Sequence, residues 1–196
     1  NEHFDAGYIV PGNNSVEVIR RVVDVLGKNH AVAAINPSAP YLKQPRVLLP
    51  ILRKVQVVIM NREEAAFLTN IAYEKEKEIF VALDKLVPGI VVMTEGEYGA
   101  VASDGKHIYR VAPALATAVD QTGAGDAFGS AFLAALIRRG GCIHNGKLQV
   151  DSDDIVYALK CASLNSAAVV SKIGAQAGIL TSYPQNKLSL IKVAIK

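Results

Sequence analysis

Short apolar runs alternate with segments of helical period along most of this chain, and that alternation commits it to repeated βαβ units. Ala6-Gly7-Tyr8-Ile9-Val10, Ala31-Val32-Ala33-Ala34-Ile35, Val55-Gln56-Val57-Val58-Ile59-Met60 and Gly89-Ile90-Val91-Val92-Met93 are the runs. Each is short and, apart from Gln56, continuously apolar, as parallel strands covered on both faces must be. Between the first two, Asn14-Ser15-Val16-Glu17 predicts a capped helix start, Val18, Val22, Val25 and Leu26 repeat at helical spacing, and Gly27 is the expected stop. Further helices are expected over 44–54 and from Asn61 through Leu68, with a polar helix or linker over 74–87.

The period then changes. Residues 98–103 and 107–111 flank Asp104-Gly105, a pair that favours a tight hairpin, so an antiparallel pair should join the sheet edge. Helices follow to about 139, over about 152–172 and from about 185. The expected fold is α/β: a three-layer, mostly parallel sheet with helices on both faces and an antiparallel hairpin at one edge.

With 196 residues, 51% of them hydrophobic, the chain can bury one real core. The net charge of +3 comes from interspersed residues without a Lys/Arg block, which argues against nucleic-acid or membrane partners. Cys142 and Cys161 make no metal-type spacing and no disulfide framework, so a reducing cytoplasm is the expected location. His3, His30, His107 and His144 form no ligand cluster, and no zinc is expected. Asn1-Glu2-His3-Phe4-Asp5 carries no basic or long apolar leader, and the first strand follows at once, so the chain is expected to open in the middle of a fold.

Ligands of an open parallel sheet bind outside the carboxyl ends of its strands. Asn36 follows one strand, Asn61 and Glu64 the next, and Thr94, Gly96 and Gly99 the next, so three successive strand ends carry polar or glycine residues. Asp120-Gln121-Thr122-Gly123-Ala124-Gly125-Asp126 then runs straight into the apolar helix Ala127-Phe128-Gly129 onward. Small residues there let backbone N–H groups converge on an anion at a helix start. An aspartate at that spot would repel a resting phosphate, so Asp126 reads better as a base taking a proton from an attacking hydroxyl. A bland reading stands beside each motif: Asn61 as a helix cap with Glu64 as its first-turn acid, the 94–99 segment as a strand-to-hairpin turn, Asp126 as a capping residue.

Asp-x-Thr-Gly-Ala-Gly-Asp followed by Ala-Phe and small residues resembles the C-terminal signature of the PfkB/ribokinase family of kinases. The resemblance implies a ribokinase-like fold, ATP and Mg²⁺ as cofactors, an anion hole from Gly123, Ala124 and Gly125, and Asp126 as catalytic base. Asn61-x-x-Glu64 is similar to the family's Mg²⁺-managing Asn-x-x-Glu, acting through water, and Thr94-x-Gly96-x-x-Gly99 to its nucleotide turn. Gly174-Ala175 resembles the segment bordering the adenine pocket, and carbonyls at Asp120 and Thr122 are the implied shell of a monovalent-cation site for K⁺. Gln121 departs from the pattern, standing where a small residue is commoner.

The family's N-terminal sugar-binding Gly-Gly motif and β-sheet lid have no counterpart here. Residues 1–196 are therefore expected to be the C-terminal, nucleotide-binding portion of one ribokinase-like domain. The expected activity is phosphoryl transfer from ATP to a primary hydroxyl of a sugar, with a small-molecule sugar or nucleoside as partner and a homodimer as the full-length assembly. Asn36-Pro37-Ser38-Ala39-Pro40 is similar to a segment of adenosine kinases, which keeps a nucleoside acceptor open, whereas Gly174-Ala175-Gln176 is similar to ribokinase. The rival of another class is a non-catalytic nucleotide-binding or oligomerisation module.

Overall fold

The computed structural model describes residues 4–196. In chain order the strands are β1 (Ala6–Ile9), β2 (Val32–Ile35), β3 (Val57–Asn61), β4 (Ile90–Thr94), β5 (Ala100–Ser103), β6 (Ile108–Val111), β7 (Cys142–His144), β8 (Lys147–Gln149) and β9 (Val193–Ile195). The helices are α1 (Val16–Lys28), α2 (Ala39–Leu42), α3 (Pro45–Leu52), α4 (Arg62–Thr69), α5 (Glu76–Asp84), α6 (Ala124–Arg138), α7 (Ser152–Val170) and α8 (Gln185–Leu188).

One sheet of seven strands runs β1-β2-β3-β4-β5-β6-β9, and β7 and β8 form a separate hairpin. The first four strands are parallel, and β5, β6 and β9 each join antiparallel to the strand before them in the sheet. Alternating side chains go to opposite faces, as strand geometry demands. Ala33, Ile35, Val58, Met60, Val91 and Met93 pack with α1, α3 and α5. Val32, Ala34, Val57, Ile59, Ile90 and Val92 pack with α6 and α7. Three layers result, with Phe132 of α6 and Tyr109 of β6 fully buried on the second face. Burying such a side chain contributes about 1.5–3 kcal/mol.

Three details depart from the expectations. On α1 the buried residues are Ile19, Val23 and Leu26, while Val18, Val22 and Val25 are 50%, 39% and 43% exposed. Both sets fit a helical period and lie one residue apart, about 100° around the axis, so spacing alone does not choose between them. Gly27 does not stop the helix: it lies inside, and His30 takes the left-handed conformation with φ 55°. His30 N–H donates to Gly27 O at 3.2 Å and Ala31 N–H to Leu26 O at 3.0 Å, a Schellman-type ending. The third departure is the set of small elements α2, β7, β8 and β9, for which the sequence reading has no counterpart. The expected antiparallel hairpin β5–β6 joins the sheet next to β4, and β9 pairs with β6 outside it as the outermost strand.

Candidate active site

The parallel strands deliver polar residues to one edge. Asn61 ends β3 directly beside Thr94, which ends β4, and Asn36 follows β2 with its N–H donating to Ile9 O at 2.9 Å. The start of α6 comes to the same edge. A Cβ on Gly125 would lie 4.0 Å from Asn36 Nδ2, and Gly129 one turn later packs against the Tyr8 hydroxyl of β1.

Gly123 caps α6 in the left-handed conformation, φ 78°. A side chain there would also strike Ala175, whose Cβ would lie 2.6 Å from the new Cβ. Within the loop, Ala124 N–H is spent on Gln121 O at 3.2 Å and Ala127 N–H on Gly123 O at 2.8 Å. The N–H groups of Gly125 and Asp126 find no acceptor among the described residues. They are the orphan donors of a helix start, open to an anion. The Asp126 carboxylate is exposed and accepts no hydrogen bond among the described residues, so its lone pairs are available.

Asp120 joins the loop to the turn after α7. Its Oδ1 accepts from Thr122 N–H at 2.9 Å and its Oδ2 from Gly174 N–H at 2.8 Å. The Thr122 hydroxyl and amide, then the Gly174 amide, hold its carboxyl below the usual carboxylate range. Asp120, Thr122, Gly123, Gly174 and Ala175 thus form one contiguous group.

A second group sits on the β3 and β4 tips. Asn61 Oδ1 accepts from Glu64 N–H at 2.7 Å while Glu64 Oε2 accepts from Asn61 N–H at 2.9 Å, a complete capping box. Burial pushes the Glu64 carboxyl up, against the Asn61 amide, which lowers it. The capping role and a role toward solvent use different atoms, since the box leaves Glu64 Oε1 and the Asn61 amide nitrogen unspent. Past Thr94, a short 3₁₀ turn covers Gly96–Tyr98, with Gly96 at φ 57° and Gly99 at φ 94°. Gly99 lies against the Val111 carbonyl, which leaves no room for a side chain, whereas a Cβ on Gly96 would meet nothing within 4 Å.

Several side chains of the site carry no motif. Asn165, 2% exposed on α7, donates to Ala127 O and accepts from Leu180 N–H, each at 2.8 Å. Ser166 Oγ donates to Ala124 O at 3.1 Å. Together they tie the first turn of α6 to α7 and to the segment after it. Tyr8 has a buried hydroxyl without a hydrogen-bond partner among the described residues. Burial pushes its pKa up to about 12, the nearby Asn36 side chain opposes this, and the Asp126 charge adds to it. A polar residue inside an apolar helix was the available signal for Asn165; a tyrosine in an apolar strand offers none.

Among the described residues no cluster of three or more His, Cys, Asp or Glu is placed to hold a metal. No helix among them is long and apolar enough to cross a membrane.

The model of the pfkB family carbohydrate kinases matches residues 2–182. The chain belongs to that family. It is 36% identical over 135 residues to a cytidine kinase of Thermococcus kodakarensis, covering 66% of this chain and 46% of that protein. To a ribokinase of Staphylococcus aureus it is 26% identical over 162 residues, covering 79% and 47%. The chain spans about half the length of these curated relatives. Among solved structures, a Vibrio cholerae fructokinase bound to fructose, ADP and calcium superposes with a TM-score of 0.73 at 20% identity, over 90% of this chain and 59% of that one. The fold is ribokinase-like.

Proposed function

We propose that these residues are the nucleotide-side portion of an ATP-dependent kinase that moves the γ-phosphoryl group to a primary hydroxyl of a sugar. The observation that carries this reading is the pair of free N–H groups at Gly125 and Asp126, set beside an exposed carboxylate at the tips of the parallel strands. Family membership supports it, as does the fructokinase of the same fold bound to fructose and ADP.

In this reading Asp126 accepts the proton of the acceptor hydroxyl as that oxygen bonds to the γ-phosphorus. The bond from phosphorus to the β–γ bridging oxygen breaks, and ADP leaves with the electron pair. The free amides of Gly125 and Asp126 stabilise the charge on the PO₃ oxygens, which is most of what phosphoryl transfer asks of a protein, whereas the Ala124 amide expected to join them is spent on Gln121 O. Thr94, Gly96 and Gly99 receive the nucleotide from the β4 side, and Gly174 and Ala175 from the α7 side. Asn61 and Glu64 fit a Mg²⁺ held through water, because the capping box spends only Asn61 Oδ1 and Glu64 Oε2 and leaves the Asn61 amide nitrogen and Glu64 Oε1 unspent. Mg²⁺ there would neutralise phosphate charge. Carbonyls at Asp120 and Thr122 would contribute to a shell for K⁺. The unpaired Cys142 and Cys161 fit a reducing cytoplasm.

A nucleoside acceptor is the second reading, favoured by the identity to the Thermococcus kodakarensis cytidine kinase. A coupled ADP-release screen of the complete protein against pentoses, hexoses, their phosphates and nucleosides decides between them. ATP binding without ADP release on any acceptor would instead leave a non-catalytic nucleotide-binding module.

A further inference from the structure

Four charged side chains close a ring below the turn that follows β4. Arg62 Nη1 lies 2.8 Å from Glu95 Oε1 and 3.4 Å from Glu76 Oε2. Arg110 Nη2 lies 2.6 Å from Glu76 Oε1, and its Nη1 lies 3.4 Å from Glu95 Oε2. Each arginine therefore meets both carboxylates. Arg62 is further fixed by Tyr73, whose carbonyl accepts from Nε at 2.9 Å and whose ring centroid lies 4.5 Å from the guanidinium carbon.

The side-chain exposures separate this ring from an ordinary surface pair. Glu95 is 6% exposed, Arg62 15% and Glu76 17%, with only Arg110, at 44%, reaching well into solvent. A carboxylate withdrawn that far from water persists only with close cationic partners, and removing one partner leaves the charge uncompensated. Planar guanidinium groups suit such bridging of two carboxylates better than lysine would.

The four members come from four elements. Arg62 opens α4 immediately after Asn61, Glu95 stands between Thr94 and Gly96, Arg110 lies on β6, and Glu76 opens α5. The backbone of Glu95 also closes the turn, its N–H donating to Gly99 O at 2.8 Å and its carbonyl accepting from Tyr98 N–H at 3.1 Å. One side of the turn is pinned by the ring, while Gly96 on the turn meets open space.

We infer that the Arg62–Glu95–Arg110–Glu76 ring positions the Thr94–Gly99 turn for the nucleotide, and that Arg62 couples this turn to the Asn61–Glu64 turn beside it. The inference rests on the kinase reading of that turn. None of the four touches the reacting atoms; they are positioning residues. Loosening the ring should weaken nucleotide binding and leave the chemical step and the acceptor alone.

The test uses the complete protein with Glu95→Gln, Arg110→Gln and the double variant, measuring KM for ATP, KM for the acceptor and kcat, with calorimetric titration of a non-hydrolysable ATP analogue. Expected is a rise in ATP KM of about tenfold in each single variant, with kcat and acceptor KM within about twofold, the pattern of lost nucleotide binding. The double variant should be no worse than the singles, because both break one ring. If Glu95→Gln does not fold, Arg110→Gln at the half-exposed corner carries the test. An ATP KM within twofold of wild type in a folded variant overturns the inference, as does an equal loss in all three constants, which marks general damage. Failure of wild type to bind the analogue removes the kinase reading and the ring's role with it, an outcome distinct from unchanged KM in a protein that binds.

Discussion

The Asp120 carboxylate accepts the Gly174 N–H at 2.8 Å, so the loop that leads into α6 and the turn that follows α7 are joined by a side chain. Ala175 next to it packs on Gly123, and Val119 N–H donates to Val170 O at 2.7 Å. The start of α6 is thereby held in place from behind while its front stays open.

That link titrates. The folded Asp120 carboxyl is depressed by Thr122 and Gly174, so the stability it contributes is present above the unfolded carboxylate value of about 3.9 and is lost as pH falls through the lower folded value. Thermal unfolding of wild type and Asp120→Asn should differ at neutral pH, and the gap should close as pH drops below about 4. A constant gap across that range contradicts the assignment.

Gly123→Ala places a side chain at φ 78° and 2.6 Å from the Ala175 Cβ. The left-handed conformation alone costs about 1–2 kcal/mol, and the overlap with Ala175 adds to it. The variant should melt below wild type and lose ATP affinity, both checked by calorimetry. An unchanged melting temperature would show that the turn relaxes freely.

Asn165→Ala removes one buried and one part-buried hydrogen bond and leaves the Leu180 N–H without a partner among the described residues. The expected loss of unfolding free energy is about 1–3 kcal/mol, read by urea titration. Because Asn165 holds the Ala127 carbonyl of the first turn of α6, kcat of the complete protein should fall as well.

The parallel strands were legible because β-branched runs buried on both faces leave a continuous apolar signature; 55–60, for example, contains all of β3 but its terminal Asn61. Asp104-Gly105 likewise announced its hairpin. Asn145-Gly146 between β7 and β8 carries the same kind of signal, with both residues at positive φ, although the flanking strands are too short to show a period of their own. The face of α1 was not legible, since two apolar stripes compete and only packing against β1 and β2 selects Ile19, Val23 and Leu26. The Asn61–Glu64 capping box was readable, because both partners lie within one local pattern. Long-range partners such as Asn165 with Leu180, or the four-element ring around Glu95, depend on how distant segments meet and leave no local pattern.

The most direct test of the account is the turnover of Asp126→Asn in the complete protein, paired with ATP titration of the same variant. Asparagine keeps the shape and removes the proton acceptor, so ADP release on the preferred acceptor should fall by about 10²–10⁴-fold while ATP affinity stays near wild type. Turnover close to wild type would contradict the role given to Asp126 and, with it, the mechanism built on the start of α6.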